Sequence, residues 1–164
     1  MKKILAVMVS AFAAILLNAQ TIENCNADFP KFLKGEKCNW KIINWTKPLG
    51  DITVKDGIVT ITSKGAVYTG IFYEKMIPAK APLKLKFTLT ASGNGAVRFG
   101  FWEYAGKEMV YTDKSAKGAM LTNEMKEYSI TTEYSNKSDR WRPFIYIRKG
   151  VSIQVKDFRV EVVK

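Results

Sequence analysis

The sequence predicts an all-β chain folded as an antiparallel β-sandwich, and three observations carry that expectation. Apolar and polar residues alternate with a period near two in Ile58-Val-Thr-Ile-Thr, Leu83-Lys-Leu-Lys-Phe-Thr-Leu-Thr and Tyr128-Ser-Ile-Thr-Thr-Glu-Tyr. That is the pattern of half-buried strands. Turn chemistry falls between such runs, at Lys55-Asp56-Gly57, Ser92-Gly93-Asn94-Gly95, Tyr104-Ala105-Gly106-Lys107, Ser135-Asn136-Lys137-Ser138 and Lys149-Gly150. No convincing long helical period interrupts them, and short strands at such regular spacing build a sandwich.

The amino terminus is read separately. Lys2 and Lys3 precede an apolar run from Ile4 to Leu17 broken only by Ser10, and small residues follow at Asn18 and Ala19. This is the order of a secretory signal over residues 1–19, too short in its apolar part to favour a membrane span. A soluble domain over 20–164 is therefore expected in the periplasm or outside the cell, with no membrane insertion. At 145 residues it is one ordinary domain with a core of its own. In an oxidising compartment Cys25 and Cys38 are expected to pair, closing a short loop that contributes about 3 kcal/mol on the chain-entropy estimate.

Candidate strands then run over 41–45, 52–54, 58–62, 66–74, 83–91, 96–104, 108–112, 126–134, 141–148 and 152–163, with 114–125 an extended loop or short helical turn. In the last strand Ile153 and Val155 keep one parity, whereas Phe158, Val160 and Val162 keep the other. A bulge near Lys156-Asp157 restores a common inward face.

Residues that break the inside-outside rule carry the functional signal. With Val97, Phe99 and Phe101 inward, strand 96–104 turns Arg98, Trp102 and Tyr104 outward. Strand 141–148 likewise exposes Arg142, Phe144, Tyr146 and Arg148, and strand 66–74 exposes Tyr68 and Phe72. The outer faces of 83–91, 126–134 and 152–163 carry Lys, Thr, Ser, Glu and Arg instead. An eight-strand jelly roll starting at 58–62 pairs 66–74, 141–148, 96–104 and 108–112 in that spatial order. All the outward aromatics then fall on one sheet, as a patch of the kind that binds something.

A pyranose ring suits that mixture, because its C–H face stacks on Trp or Tyr while its hydroxyls meet oriented donors such as Arg. Aromatic–Arg surfaces also serve protein interfaces, so a surface protein-interaction or assembly module using the same face is the alternative. A covering loop that makes these rings a satellite core is the structural one. Catalysis is not expected. The chain has no histidine, which excludes Ser–His–acid and Cys–His schemes, and Glu103, Glu108, Glu124 and Glu127 do not form the paired carboxylates of a glycosidase. The net charge falls from +11 to +9 when the signal takes away two lysines and no acid. Its lysines are scattered, so solvation of strand faces is the reading preferred over nucleic acid. Asp157 at the bulge, with Asp28, offers oxygen ligands for a structural Ca²⁺, against the simpler reading of a turn-stabilising acid.

Three segments carry a family resemblance: Asn39-Trp-Lys-Ile-Ile-Asn-Trp leading to Lys55-Asp-Gly-Ile-Val-Thr-Ile, Lys80-Ala-Pro-Leu-Lys-Leu-Lys-Phe-Thr-Leu-Thr-Ala-Ser-Gly, and Val151-Ser-Ile-Gln-Val-Lys-Asp-Phe-Arg-Val-Glu-Val. Over roughly residues 25–163 the chain resembles jelly-roll carbohydrate-binding modules of the family 4, 9 and 22 type, within the galactose-binding-like sandwiches. The resemblance implies a non-catalytic module that binds a poly- or oligosaccharide on its concave sheet. Trp102, Tyr104 and Tyr146 would then be stacking platforms, Arg98 and Arg142 hydroxyl or carboxylate donors, and Phe144 and Tyr68 part of the same surface. Two features depart from the family: Ala81-Pro82 replaces its usual Gly, and its paired acids in the closing strand are reduced to Asp157.

Overall fold

The computed structural model describes residues 22–44, 49–65, 68–79, 84–110, 116–133 and 138–163, with backbone alone for 116 and 117. The expected signal over 1–19, the strand ends at Trp45, 66–67, Leu83, 111–112 and Tyr134, and the turn residues Ser135-Asn136-Lys137 lie outside the described residues.

A helix α1 (22–33) precedes β1 (Trp40–Ile42), β2 (Asp51–Lys55), β3 (Ile58–Thr62), β4 (Thr69–Tyr73) and β5 (Ile77–Pro78). Then come β6 (Lys84–Ala105), β7 (Glu108–Val110), β8 (Ala116–Leu121), β9 (Lys126–Glu133), β10 (Arg140–Ile147) and β11 (Ser152–Val163). The front sheet runs β1-β4-β10-β6, with β7 and β8 on the far edge of β6 and β5 alongside β10. The back sheet runs β2-β3-β11-β6-β9. All of these pairings are antiparallel, and the order of the front sheet is that of the expected jelly roll.

Two expectations change at β6 and β8. Ser92-Gly93-Asn94-Gly95 is not a turn between two strands but the corner of one 22-residue strand. Ile153 of β11 pairs with Gly93 in the back sheet, and Leu121 of β8 pairs with Gly95 in the front sheet. Glycine is required at this corner: φ is 109° at Gly95, and a Cβ on Gly93 would come within 2.4 Å of the Ser152 carbonyl. The stretch near 114–125, expected as loop or helical turn, contains strand β8 instead. Its edge position hides it, because few apolar residues are needed there.

The bulge stands where the parity break put it. Pairing between β11 and β6 shifts between Val155 and Asp157, so Val155 faces Ala91 and Asp157 faces Thr90. Both halves of β11 thereby keep one inward face. Ile153, Val155, Phe158 and Val160 all pack into the core beside Phe87, Phe99, Phe101 and Trp141. The Phe87 ring stacks on Phe101 with centroids 5.5 Å apart.

Helix α1 corrects the expectation that no long helical period is present. Ile22, Cys25, Phe29 and Leu33 form one buried stripe at helical spacing, and Pro30 within the segment masks that period. The helix covers the edge of β11 beyond the point where β3 stops. Asn26 Nδ2 donates to the Val160 carbonyl at 2.9 Å, and Val160 N donates to Asn26 Oδ1 at 2.9 Å. A side-chain amide thus satisfies two backbone groups that a strand would otherwise pair. Asp28 fixes the other side, accepting bonds from Asn39 N and Nδ2, Lys31 Nζ and the Tyr73 hydroxyl.

The same helix overturns the disulfide. Cys25 and Cys38 are both free thiols. Cys25 points into the buried stripe, whereas Cys38 Sγ lies 3.8 Å from the Trp40 carbonyl. Burial pushes the Cys25 thiol well above its ordinary pKa, and the Asp28 charge adds to the effect. Cys25 serves as a small core residue.

Candidate functional site

The outer face of the front sheet carries a second apolar cluster, separate from the core. Ile43, Phe72, Phe144 and Tyr146 are buried in it, and Tyr68 and Trp102 pack against them. Strand register explains the assembly. Lys41, Phe72, Phe144 and Gly100 lie in one cross-strand row, and Gly70, Tyr146 and Arg98 in the next. Arg142 faces Trp102 in the row before. Each outward ring of β10, Phe144 and Tyr146, therefore has a glycine on one side, which leaves room for it to lie along the sheet. The fit is close at Gly70, where an added Cβ would come within 2.1 Å of the Ile145 carbonyl and 2.6 Å of Tyr146 Cα.

The rings form a continuous row. Trp102 stacks on Phe144 with centroids 4.7 Å apart, and Phe144 stacks on Tyr146 at 5.1 Å. Tyr68 meets Tyr146 edge-to-face at 4.9 Å, and Phe72 leans on Trp102 at 6.0 Å. Both geometries suit ring quadrupoles. The Arg142 guanidinium lies over Tyr104 at 4.6 Å and reaches Phe72 at 5.7 Å. Burial raises the Tyr104 phenol against the opposing Arg142 charge, and raises the Tyr146 phenol against the charge and hydrogen bond of Arg98. Both phenols stay protonated near neutral pH.

All seven residues assigned from the sequence, Tyr68, Arg98, Trp102, Tyr104, Arg142, Phe144 and Tyr146, lie on this one face. Their exposure divides them. Phe144 is 0% exposed, Tyr146 5% and Tyr104 6%, so these rings form a floor and cannot offer an open face for stacking. Tyr68, Trp102, Arg98 and Arg142 are half-buried, and Arg148 is exposed. The covering loop weighed at the outset is present in part: Ile43 N donates to the Gly70 carbonyl at 2.8 Å and sets its side chain on the cluster.

The sequence reading missed four further residues on or beside this face. Lys41 pairs with Phe72. Met109, opposite Tyr104, is 49% exposed, and Met120, opposite Ala96, is 70% exposed. Ile42 is 46% exposed at the β1 edge, where a groove of about 620 Å³ opens between Lys41, Asn44 and Phe72. Hairpin register from Gly106 would have located Met109. Nothing in the sequence marks the groove.

The remaining candidates lie elsewhere. Glu103 is 2% exposed on the core side of β6 and accepts a 2.6 Å bond from Ser138 Oγ. Asp157 and Asp28, considered together for Ca²⁺, are engaged separately. Arg159 Nε lies 3.0 Å from Asp157, and Asp28 holds Lys31, Asn39 and Tyr73. Among the described residues no group of three His, Cys, Asp or Glu side chains is placed to hold a metal ion.

No family model and no curated protein matches the chain. Solved structures do. A carbohydrate-binding module, CBM4, is similar with a TM-score of 0.55 and 13% identity, over 76% of this chain and 86% of that one. The CBM22-1 xylan-binding domain of Paenibacillus barcinonensis Xyn10C is similar with a TM-score of 0.52 and 13% identity, over 77% and 86%. The enzymatically active domain of bacteriophage CBA120 tailspike protein 4 gives a TM-score of 0.55 at 11% identity, but this chain covers 19% of it. At such identities the likeness establishes a fold shared with jelly-roll carbohydrate-binding modules.

Proposed function

We propose that the protein is an exported, non-catalytic module that binds a poly- or oligosaccharide on the outer face of its front sheet. One observation carries the reading: a row of stacked rings, flanked by arginines, lies outside the core on the face of a sheet. The back sheet shows what an ordinary outer face looks like in this chain, with Thr88 and Ser129 in contact at 3.2 Å and Arg159 paired to Glu127 at 2.8 Å. The similar structures include a xylan-binding domain, which supports the choice of ligand class. Trp102 and Tyr68 are the rings left accessible, and Arg98 and Arg142 supply oriented donors. Binding fits better than catalysis because Glu103 faces the core, away from the ring row.

The test is calorimetry of the mature chain against soluble glycans, together with pulldown on insoluble ones. A Trp102→Ala, Tyr68→Ala double variant that folds normally should lose binding. Full binding by that variant would remove this face from the function. Capture of a protein partner, unaffected by competing sugars, would favour the assembly reading instead, for which the exposed Met109 and Met120 speak.

A further inference from the structure

The two outer faces differ in charge balance. On the back sheet, each cation that the register brings into the β6–β9–β11 rows has an acid beside it. Lys84 faces Glu133 and Lys86 faces Glu161 in register, without a close ion pair among the described residues, and Arg159 bonds Glu127 at 2.8 Å and Asp157 at 3.0 Å. On the front face, Arg140, opposite Tyr104, lies 3.7 Å from Asp139, whereas Lys41, Arg98, Arg142 and Arg148 make no ion pair among the described residues. Glu74 lines the groove together with Lys41.

Arg142 is the telling member. Its Nε is buried and has no hydrogen-bond partner among the described residues. Its guanidinium is held between Tyr104 and Phe72. Burying part of a guanidinium without a counter-charge carries a cost, and two cation–π contacts offset it only in part. An oxyanion from outside would complete the site, because a guanidinium fork matches carboxylate and sulfate oxygens. Arg98 and Arg142 also flank the rings on opposite sides. Their rows are four residues apart along β10, roughly 13 Å at strand rise, so a chain lying across the rings would meet a cation on each side.

We infer that the ligand of this face is an acidic glycan, a polysaccharide bearing carboxylate or sulfate groups. This rests on the carbohydrate reading above and narrows it. The experiment titrates the mature chain with polygalacturonate, chondroitin sulfate, neutral xylan and cellohexaose, and with poly-glutamate as a polyanion that is not a sugar. Polygalacturonate or chondroitin sulfate should bind at least tenfold more tightly than the neutral glycans. Arg142→Gln and the exposed Arg148→Gln should each weaken acidic binding several-fold, more at low salt than at high. Lys156→Gln, on the back sheet, is the control. Arg148→Gln keeps the test valid should Arg142→Gln not fold.

Chondroitin sulfate carries both groups and polygalacturonate carboxylates alone, so binding of chondroitin sulfate but not polygalacturonate assigns sulfate, and equal binding of both requires carboxylate only. Equal binding of neutral and acidic glycans, unchanged by the arginine variants, overturns the acidic ligand and leaves the carbohydrate reading standing. Binding to no glycan overturns both. Poly-glutamate binding as tight as polygalacturonate, with the same dependence on Arg142, overturns the glycan in favour of an acidic protein surface.

Discussion

Phe144→Ala and Trp102→Ala should separate support from recognition on the ring face. Phe144 is 0% exposed and lies between Trp102 at 4.7 Å and Tyr146 at 5.1 Å. Removing a buried phenyl ring costs about 3–5 kcal/mol, and the lower end applies where neighbours can settle into the gap. The cluster lies on an outer face with half-buried Tyr68 and Trp102 at its margin, so about 3 kcal/mol is expected. For a domain of this size that lowers Tm by roughly 10 °C. Trp102 is only half-buried, so its loss should cost about 1–2 kcal/mol of stability. Its effect on glycan affinity should be larger, at least about tenfold, as befits an aromatic anchor at a binding surface. Urea unfolding followed by circular dichroism gives the first pair of numbers, and calorimetry on the best-bound glycan gives the second. Trp102→Ala destabilising more than Phe144→Ala, or Phe144→Ala costing under about 1 kcal/mol, would refute the division into floor and platform.

Three further outcomes follow from the helix and its contacts. Asn26→Ala leaves the Val160 N–H and carbonyl without the amide that pairs them, so stability should fall by about 2 kcal/mol; hydrogen exchange at the Val160 amide should accelerate, and an unchanged rate would count against edge protection. Partial burial alone would raise the Asp28 carboxyl, but hydrogen bonds from Asn39 and Lys31 outweigh it and hold the pKa below the ordinary value. Its contribution is therefore complete above the ordinary carboxylate value and disappears as pH falls through the lowered one. Asp28→Asn should flatten that acid limb in pH-dependent unfolding, and an unchanged limb would deny Asp28 the role. Finally, Cys38 should react with a thiol reagent in the native protein and Cys25 only after unfolding; a reductant that lowers Tm would instead point to a disulfide.

Most of the sheet was legible because parity is a strict rule. Residues such as Val97, Phe99, Phe101, Ile145 and Ile147 admit one inward face, and fixing that face also fixes where Trp102, Phe144 and Tyr146 must point. The bulge at Lys156 was legible for the same reason. Helix α1 was not, because Pro30 interrupts its period and its stripe uses a cysteine. Whether an outward ring is open or covered was also beyond parity. Parity assigns Tyr104 and Trp102 to one face, but the guanidinium over Tyr104 comes from a residue 38 positions later, on β10. Nor could pattern show that Asn26 would serve as a surrogate strand for Val160, because that depends on where β3 ends.

The burial of the floor strengthens the binding argument. A ring that moves freely in solvent must be immobilised when a ligand docks, and each immobilised side chain costs about 0.5–1.5 kcal/mol. Here Trp102 is already stacked on Phe144, and Arg142 is already fixed over Tyr104 and against Phe72. The cost of ordering them was met in folding, so more of each contact's energy remains for the ligand. A purely structural satellite cluster would have no use for unneutralised guanidinium groups, since an apolar residue of similar size would pack there without the desolvation penalty. On the proposed reading, rings held rigid beside Arg98 and Arg142 suit an anionic glycan.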